Sequence, residues 1–220
     1  MKITYASLKQ DSALRVYITK ADETLNALGY TEHSFAHVCK TAETAGGLLA
    51  ALGFDDRTVE LAKIAGYLHD IGNLVNRVDH SQSGAVMAFR LLDKMGMDAE
   101  DIAIVVSAIG NHDEGTGVPV NAVAAALILA DKADVRRSRV RNADTSSFDI
   151  HDRVNYSVTE AALVLNDTHT HLTLNLTIDT AYSAVMDYFE IFLERMILCR
   201  KAADRLGLVF KLVINGQTLI

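Results

Sequence analysis

The spacing of the apolar residues changes partway along the chain, and this change limits the folds that the chain can adopt. From Thr31 to about Arg141 apolar residues recur with a period of about 3.6, between short polar or glycine-containing breaks, which is typical of packed helices. After a polar stretch from Asn142 to Asn155, the segment from Leu172 to Ile178 alternates between apolar and polar residues, which indicates a strand with one buried face. The sequence therefore predicts a mainly helical bundle followed by a smaller unit that contains a sheet.

The second pattern predicts a β-β-α-β unit. The segment from Ala161 to Leu165 can pair with the alternating strand across the turn at residues 166–168, which gives a hairpin. A long helix with one broad apolar stripe follows from about Thr180 to Leu206, and Val209 to Ile214 form a third strand. We expect the hairpin, the helix and the third strand to form one small sheet-containing unit.

The chain therefore divides into two parts. A helical domain is predicted over residues 1–141, and a β-β-α-β extension is predicted to pack on it over residues 142–220. Half of the residues are apolar, so the chain can bury a substantial core without a partner. The strand edges and the apolar helix of the extension are compatible with a homodimer interface and equally with packing on the helical domain.

The composition excludes several classes of protein. The longest apolar run, Ala122 to Ala130, is far shorter than the roughly 20 residues that cross a bilayer, and the first residues lack the apolar stretch of a signal peptide, so we expect a cytoplasmic protein with no membrane contact. Cys39 and Cys199 lie far apart in apolar surroundings and are predicted to be buried thiols. The formal charge of −7 disfavours general nucleic-acid binding, but local basic groups could hold a small phosphorylated ligand.

Histidine and aspartate residues stand near the predicted ends of the helices in the first part of the chain. Imidazole and carboxylate groups together suit Zn, Mn or Fe, and the helices of a bundle can direct such groups into one core. Several separated sites of this kind are harder to explain as isolated buried histidines. The residues concerned are His37, His69, Asp70, His80, His112 and Asp131.

The order of these residues resembles the HD-domain metal-dependent phosphohydrolases, over roughly Thr31 to Arg141. The family pattern is a first His, an adjacent His-Asp pair, two further His and a late Asp. The stretch from Leu68 to Gly72 (LHDIG) resembles the central family motif, and the stretch from His80 to Ala85 resembles the following His with its turn of small residues. The stretch from Ala130 to Asp134 resembles the closing helix.

The resemblance implies a metal centre and a reaction. It places His69 and Asp70 at the catalytic centre, with Asp70 bridging two divalent ions rather than one; Mn, Fe, Mg and Zn all remain open. The implied reaction is hydrolysis of a phosphate ester or anhydride of a small phosphorylated or nucleotide-like substrate by a metal-activated hydroxide. The implied ligands are His37, His69, Asp70 and Asp131 for one ion, and Asp70, His80 and His112 for the other.

Two histidines compete for the position of the first ligand. His33 and His37 stand four residues apart and would share one helix face. We favour His37, because the spacing of the residues after it reproduces the apolar spacing that follows the first His of the family; these residues are Val38, Thr41, Ala42 and Ala45. His33 then faces the substrate or supports the ligands; the alternative is that it is a surface residue at the start of the helix.

Basic residues follow the last predicted ligand. Lys132, Arg136 and Arg139 recur at i, i+4 and i+7, so a continuing helix would carry them as one basic stripe that starts beside Asp131. A cationic stripe next to a metal centre could hold the phosphorylated substrate, with arginine as the better bidentate partner. We expect Lys132 and Arg136, together with His33, to bind the substrate.

Other polar residues nearby are expected to be structural. Arg137, Arg139 and Arg141 are predicted to lie on the solvated surface, and Asp134 is expected to pair with Arg137 or Arg141. His151 follows the basic segment closely, but the sequence gives it no role.

Departures from the family pattern narrow the substrate. The stretch from Asn111 to Pro119 lacks the doubled His and the Gly-Tyr-Pro element of the branch that cleaves cyclic dinucleotides, so that activity is not expected. Asn73 stands where the motif commonly has Lys, which removes one phosphate contact. Two other functions fit the same ligands: a di-iron oxygenase, and a non-enzymatic module that senses a nucleotide.

Overall fold

A computed structural model describes residues 2–220 of the chain. In this part the chain forms nine α-helices and four β-strands, with short 3₁₀ segments at Ile71–Leu74, Arg137–Arg139 and Thr145–Ser147. The elements, in chain order, are α1 (Tyr5–Gln10), α2 (Ser12–Ala27), α3 (Phe35–Ala51), α4 (Asp56–Leu68), α5 (His80–Lys94), α6 (Ala99–Gly110), α7 (Ala122–Lys132), α8 (Ile150–Ser157), β1 (Val158–Leu165), β2 (His171–Ile178), α9 (Val185–Arg205), β3 (Val209–Ile214) and β4 (Gln217–Thr218).

Side-chain caps fix where the helices of the first part begin. Asn121 caps α7, because its side-chain oxygen accepts a hydrogen bond from Ala124 N at 2.8 Å. The helix α4 is capped by Asp55, whose carboxylate accepts hydrogen bonds from the amides of Arg57 and Thr58. These caps fix the starts of α4 and α7. Four polar side chains described below lie at the other ends of these helices: His69 and Asp70 after α4, and Asp131 and Lys132 at the end of α7.

Two glycines let helices pack closely where the site forms. A Cβ at Gly66 would lie 2.6 Å from Ala42 Cα, so only glycine allows α4 to approach α3 at this level. A Cβ at Gly72 would collide with the main-chain oxygen of His80. The first contact brings the end of α4 beside α3, and the second brings the segment after α4 against the start of α5.

The C-terminal unit contains one four-stranded sheet in the order β1-β2-β3-β4. The strands β1 and β2 form the predicted antiparallel hairpin, with Leu165 opposite Leu172. The strand β3 has the predicted bounds and runs parallel to β2, which requires the crossover that α9 provides. The short strand β4 was not predicted, and α9 begins at Val185 rather than near Thr180.

The polar stretch before β1 contains a helix that was not predicted from the sequence. Residues 150–157 form α8, which Asp149 caps by accepting a hydrogen bond from Asp152 N at 2.8 Å. The helix is short and polar, with Val154 buried, so its apolar period is too weak to be read from sequence. Its position matters because it borders the candidate site.

Two apolar clusters meet at α7. One cluster is built from α1 to α7, and the other from α8, the sheet and α9. The helix α7 contributes to both: Ala124 and Leu127 belong to the first cluster, and Ile128 and Leu129 to the second. The C-terminal unit therefore packs on the helical part through α7. A mainly helical fold with a small α and β unit at the C-terminal end is confirmed, whereas the exact boundary at residue 141 and the homodimer stay predictions.

Two further features concern membrane-spanning helices and the cysteines. Within residues 2–220, no helix is long and apolar enough to cross a membrane. Cys39 and Cys199 are both free thiols. Cys199 is buried as predicted, but Cys39 is partly exposed because it lies at the edge of the first apolar cluster.

Candidate metal centre

The six predicted ligands converge on one buried place between the helices. Each comes from a different helix or helix end, except the adjacent pair that follows α4. The residues are His37 on α3, His69 and Asp70 after α4, His80 at the start of α5, His112 after α6 and Asp131 near the end of α7. Three groups of three among them have candidate ligand atoms that all lie within 4.8 Å of one another. We divide the centre into a first half (His37, His69 and Asp131) and a second half (His80 and His112), which share Asp70.

The first half is compact. His37 Nε2 lies 3.3 Å from His69 Nε2 and 3.3 Å from Asp131 Oδ1. Asp70 Oδ2 faces the same point, at 3.2 Å from His69 Nε2 and 3.5 Å from His37 Nε2. Two imidazole nitrogens and two carboxylate oxygens thus surround a space of the size that a metal ion needs.

The second half lies on the other oxygen of Asp70. Asp70 Oδ1 is 3.6 Å from His80 Nε2, and His80 Nε2 is 3.2 Å from His112 Nε2. The carboxylate of Asp70 therefore presents one oxygen to each half, which is the geometry of a bridging ligand.

The second nitrogen of each imidazole is also engaged. In all four histidines Nδ1 lies at hydrogen-bonding distance from an oxygen acceptor, so Nδ1 carries the hydrogen and Nε2 can offer its lone pair to a cation. The acceptors are Asp134 Oδ2 for His37 (2.8 Å), Gly66 O for His69 (2.8 Å), Arg77 O for His80 (3.1 Å) and Ile109 O for His112 (2.6 Å). All four rings are oriented for metal binding by their surroundings.

An unsatisfied atom points to the missing partner. Asp70 Oδ2 is buried, and no described residue gives it a hydrogen bond. A buried carboxylate oxygen without a partner is costly, because desolvation is not repaid. A divalent cation between Asp70 and the imidazoles would satisfy it, and the imidazole and carboxylate donors suit Zn, Mn or Fe. The residues present therefore fit a metal centre.

The charge balance of the metal-free chain agrees with this fit. Burial alone would lower the pKa of His69, but the carboxylates of Asp70 and Asp131 outweigh it and raise the pKa of His69 to about 10. In the second half, burial lowers the pKa of His80 and of His112. The first half thus carries surplus negative charge, which a proton on His69 offsets in part when no cation is bound.

A chain of ionic contacts leads away from Asp131, from the buried Lys132 to the partly buried Glu114 and Arg195. Lys132 Nζ lies 2.7 Å from Asp131 Oδ2 and 3.0 Å from Glu114 Oε2. Arg195 on α9 donates from Nε to Glu114 Oε1 at 2.7 Å. Burial opposes the charge on Lys132, but Asp131 and Glu114 raise its pKa, so it stays a cation.

Glu114 and Arg195 are residues that the sequence reasoning missed. The available signals were weak: Glu114 follows His112 by two residues, and Arg195 directly precedes Met196 of the apolar stripe of α9. A cation beside such a stripe can mark a buried ion pair, but nothing local identifies its partner, which lies 81 residues away.

The predicted basic stripe is wrong. The helix α7 ends at Lys132, so Arg136 and Arg139 do not continue along one helix face. Arg136 pairs with Glu32 and Asp134, each at 3.0 Å, and is not among the residues that line the cavity described below. Its predicted role in substrate binding gains no support from this placement and stays a prediction.

Two expectations about the neighbouring residues are also wrong. Arg139 is not on the solvated surface; it is buried and donates to the main-chain oxygens of Glu32 and Asp134 at 2.8 and 2.7 Å. Asp134 does not pair with Arg137 or Arg141, because its carboxylate is turned inward to His37. The end of α7 at Lys132 causes both differences, since the turn that follows directs these side chains into the protein.

The structure separates the two candidate first histidines. His37 lies on α3 within the centre, whereas His33 precedes the helix, which Ser34 caps. The two therefore do not share a helix face. His33 Nδ1 lies 2.7 Å from Thr31 O, and its ring borders the cavity next to the centre. This position agrees with the expected substrate-facing role of His33, which remains a prediction.

A cavity of about 500 Å³ adjoins the metal centre. This volume suits a small molecule. Its walls include Asp70, Asp131 and both histidines of the second half, and the basic residues Arg77, Lys132, Arg139 and Arg195. They also include Asp149, which caps α8, and the α8 residues His151, Asp152 and Asn155. The C-terminal unit therefore forms part of the wall, and His151, which the sequence left without a role, belongs to it.

The fold and the converging side chains define a helical protein with a His and Asp centre suited to divalent ions. The family model described as HD domain matches residues 34–143, which is half of the chain, and the chain belongs to this family. The crystal structure of a predicted HD superfamily hydrolase from an uncultured Thermotogales bacterium is similar, with 26% sequence identity and a TM-score of 0.45. The similarity covers 56% of this chain and 67% of that one. No curated protein matches the chain.

HD domains bind divalent metal ions, and the groups of His and Asp residues found here could hold such ions. Family membership and the metal centre together support a metal-dependent hydrolase.

Proposed function

We propose that the protein is a metal-dependent phosphohydrolase that cleaves a phosphate ester or anhydride of a small phosphorylated or nucleotide-like substrate. The observation that carries the proposal is the carboxylate of Asp70, which presents one oxygen to each half of a centre with four oriented imidazoles. A small cavity lined with basic side chains adjoins that centre. Metal ions suit phosphoryl transfer because charge develops on several oxygens at once.

The ligand assignment follows the two halves. His37, His69, Asp70 and Asp131 would hold one ion, and Asp70, His80 and His112 would hold the second. When bound, the ions would polarise phosphoryl oxygens and lower the pKa of a bound water into the neutral range.

Other residues of the chain orient these ligands. Asp134 accepts from His37 Nδ1 and so holds the tautomer in which Nε2 faces the centre. Lys132 contacts Asp131 Oδ2, which leaves Oδ1 directed to the histidines. Asn73 donates to Asp70 Oδ1 at 3.0 Å, so the residue that replaces the common Lys positions the bridging carboxylate rather than a phosphate.

Basic residues in the cavity wall would hold an anionic substrate once metal ions offset the carboxylates of Asp70 and Asp131, which line the same cavity. Arg77, Lys132, Arg139 and Arg195 all line it. Cations in a confined cleft raise the local concentration of an anionic substrate and hold its oxygens by charge-assisted hydrogen bonds. The cavity volume limits that substrate to a small molecule.

The test combines metal analysis with a substrate panel. The purified protein is loaded separately with Mn, Fe, Mg or Zn, and phosphate release is measured from phosphomonoesters, phosphodiesters and nucleotides. Asp131→Asn should lose activity and bind less metal, while the matched variant Asp167→Asn, in the exposed hairpin turn, should behave as wild type. If the metal-loaded protein releases phosphate from none of these substrates, the proposal is contradicted. Oxygen uptake by the iron-loaded protein would favour the oxygenase instead.

A further inference from the structure

We propose that Arg195, on the C-terminal helix α9, binds the phosphate group of the substrate. This inference rests on the proposed function for the identity of the anion. It assigns a binding role to a residue outside the matched HD domain, which ends at residue 143.

Two contacts hold the guanidinium group of Arg195 in place. Its Nε donates to Glu114 Oε1 at 2.7 Å, and its central carbon lies 4.1 Å from the centroid of the Phe192 ring. Within residues 2–220, Arg195 donates one hydrogen bond to the protein, and it does so from Nε. The two terminal nitrogens therefore keep their N–H groups for a ligand, and the side chain lines the cavity.

The other basic residues of the cavity are more fully engaged. Lys132 contacts both Asp131 and Glu114, and Arg139 donates to two main-chain oxygens. One terminal nitrogen of Arg77 already faces His80 Nε2 and Asn73 Oδ1, at 3.4 Å each. Arg195 is thus the cation whose pair of terminal nitrogens is free of protein acceptors in the described residues, and such a pair matches two oxygens of a phosphate.

The local charge also favours an anion. Lys132 lies between the carboxylates of Asp131 and Glu114, and Arg195 contacts Glu114, so these four groups balance in charge. A divalent ion held by Asp131 would leave a positive charge in excess beside Arg195. This excess is joined to the metal centre through the contact between Lys132 and Asp131. A phosphate with one oxygen at the metal centre and others at Arg195 would neutralise both.

The inference explains why the C-terminal unit packs where it does. The helix α9 places Ile191, Phe192 and Arg195 on the cavity wall, and its apolar stripe buries against α7, which carries Asp131. Ligands for the metal come from the helical part, and the binding group for the phosphate comes from the C-terminal unit. The two parts of the chain then form one active site.

The test uses Arg195→Gln and Arg195→Lys, with Arg200→Gln as the matched control on the exposed face of the same helix. The dissociation constant of inorganic phosphate for the metal-loaded protein is measured by calorimetry, and KM and kcat are measured on an ester that the wild type cleaves. For Arg195→Gln we expect phosphate binding about ten- to a hundredfold weaker and a similar rise in KM, since a charge-assisted hydrogen bond is lost. The phosphate affinity of Arg195→Lys should lie between those of wild type and Arg195→Gln, because lysine keeps the charge but lacks the bidentate geometry. Arg200→Gln should match wild type.

The outcomes separate this inference from the proposed function. Equal phosphate affinity of wild type and Arg195→Gln, or no phosphate binding by the metal-loaded wild type, overturns the role of Arg195. Phosphate binding that depends on Arg195, in a protein that cleaves no phosphate ester, supports the inference and contradicts the proposed function. Metal content and the unfolding midpoint are recorded for each variant. If Arg195→Gln is misfolded, an unchanged phosphate affinity of Arg195→Lys overturns the inference.

Discussion

The two halves of the metal centre are supported in different ways. In the first half, charged side chains position two of the ligands: Asp134 orients His37, and Lys132 holds Asp131. The third, His69, is oriented by the main-chain oxygen of Gly66. In the second half, main-chain oxygens orient His80 and His112. Side-chain substitution can therefore adjust the first half, whereas the geometry of the second half depends on the helix ends themselves.

The halves also differ in charge. The first half has the carboxylates of Asp131 and Asp70. The second half shares Asp70, and its other nearby carboxylate, the more exposed Asp113, is 4.0 Å from His80 Nε2. A divalent ion is attracted more strongly by two carboxylates than by one. We therefore expect the first half to bind its ion more tightly, and the four predictions below test this difference.

Asp70→Ala removes the group that the halves share. We expect it to lower the metal content of both halves and to reduce kcat about a thousandfold or more, because the metal ions supply several kcal/mol of stabilisation to the transition state. Elemental analysis and turnover on the best substrate measure the two effects. A variant that retained wild-type metal content would show that Asp70 does not bridge.

His112→Ala and His37→Ala probe the halves separately. His112→Ala should leave about one tightly bound ion per chain and lose the weaker one, whereas His37→Ala should weaken the tighter ion. Activity should fall in both, by roughly a hundredfold. Titration of the metal-free proteins with Mn or Zn by calorimetry distinguishes the two sites. Equal loss of the tight ion in both variants would contradict the expected difference between the halves.

These ligands could be predicted because their signal is carried by residue type and order. His69 and Asp70 are adjacent, His37, His80, His112 and Asp131 each lie at or near a predicted helix end, and the set matches a known family pattern. The sheet could be predicted for a similar reason, since alternation over eight residues in β2 is a local property of the sequence.

The residues around the ligands could not be predicted in the same way. Contacts such as Arg195 with Glu114, or His37 with Asp134, join residues 81 and 97 positions apart and leave no periodic trace in the sequence. The prediction of a basic stripe after Asp131 was wrong for a different reason. The spacing of its residues fits a helix, but α7 ends at Lys132 and the next turns direct Asp134 and Arg139 inward. Tertiary packing decided what local spacing could not.

Asp134→Asn tests the side-chain support of the first half. The amide can still accept a hydrogen bond from His37, but it lacks the charge that strengthens this bond, so we expect the metal affinity of the first half to fall about tenfold or somewhat more. The affinity of the second half should change little. Lys40→Met is the control, because Lys40 contacts the other oxygen of Asp134 from a partly exposed position, where an ion pair contributes little. Similar losses in Lys40→Met and Asp134→Asn would mean that the orientation of His37 does not limit metal binding.

The smallest effect that we expect is on the stability of the metal-free protein as a function of pH. The pKa of His69 in the first half is raised to about 10, because the carboxylates of Asp70 and Asp131 outweigh the opposing effect of burial, so its stabilising contribution is present below the unfolded value of about 6.5 and is lost as the pH rises toward 10. The pKa values of His80 and His112 in the second half are lowered by burial, so their contribution is present above about 6.5 and is lost as the pH falls.

The two halves therefore oppose each other, and stability should be greatest near pH 6.5, with a fall of a few degrees in the unfolding midpoint from pH 7 to pH 9. Thermal unfolding in the presence of a chelator measures this fall, and His69→Gln should abolish it. The fall should also vanish when metal is bound, because the ion then replaces the proton as the partner of the two carboxylates. A fall of the same size in His69→Gln would show that the surplus negative charge of the first half is not balanced by His69.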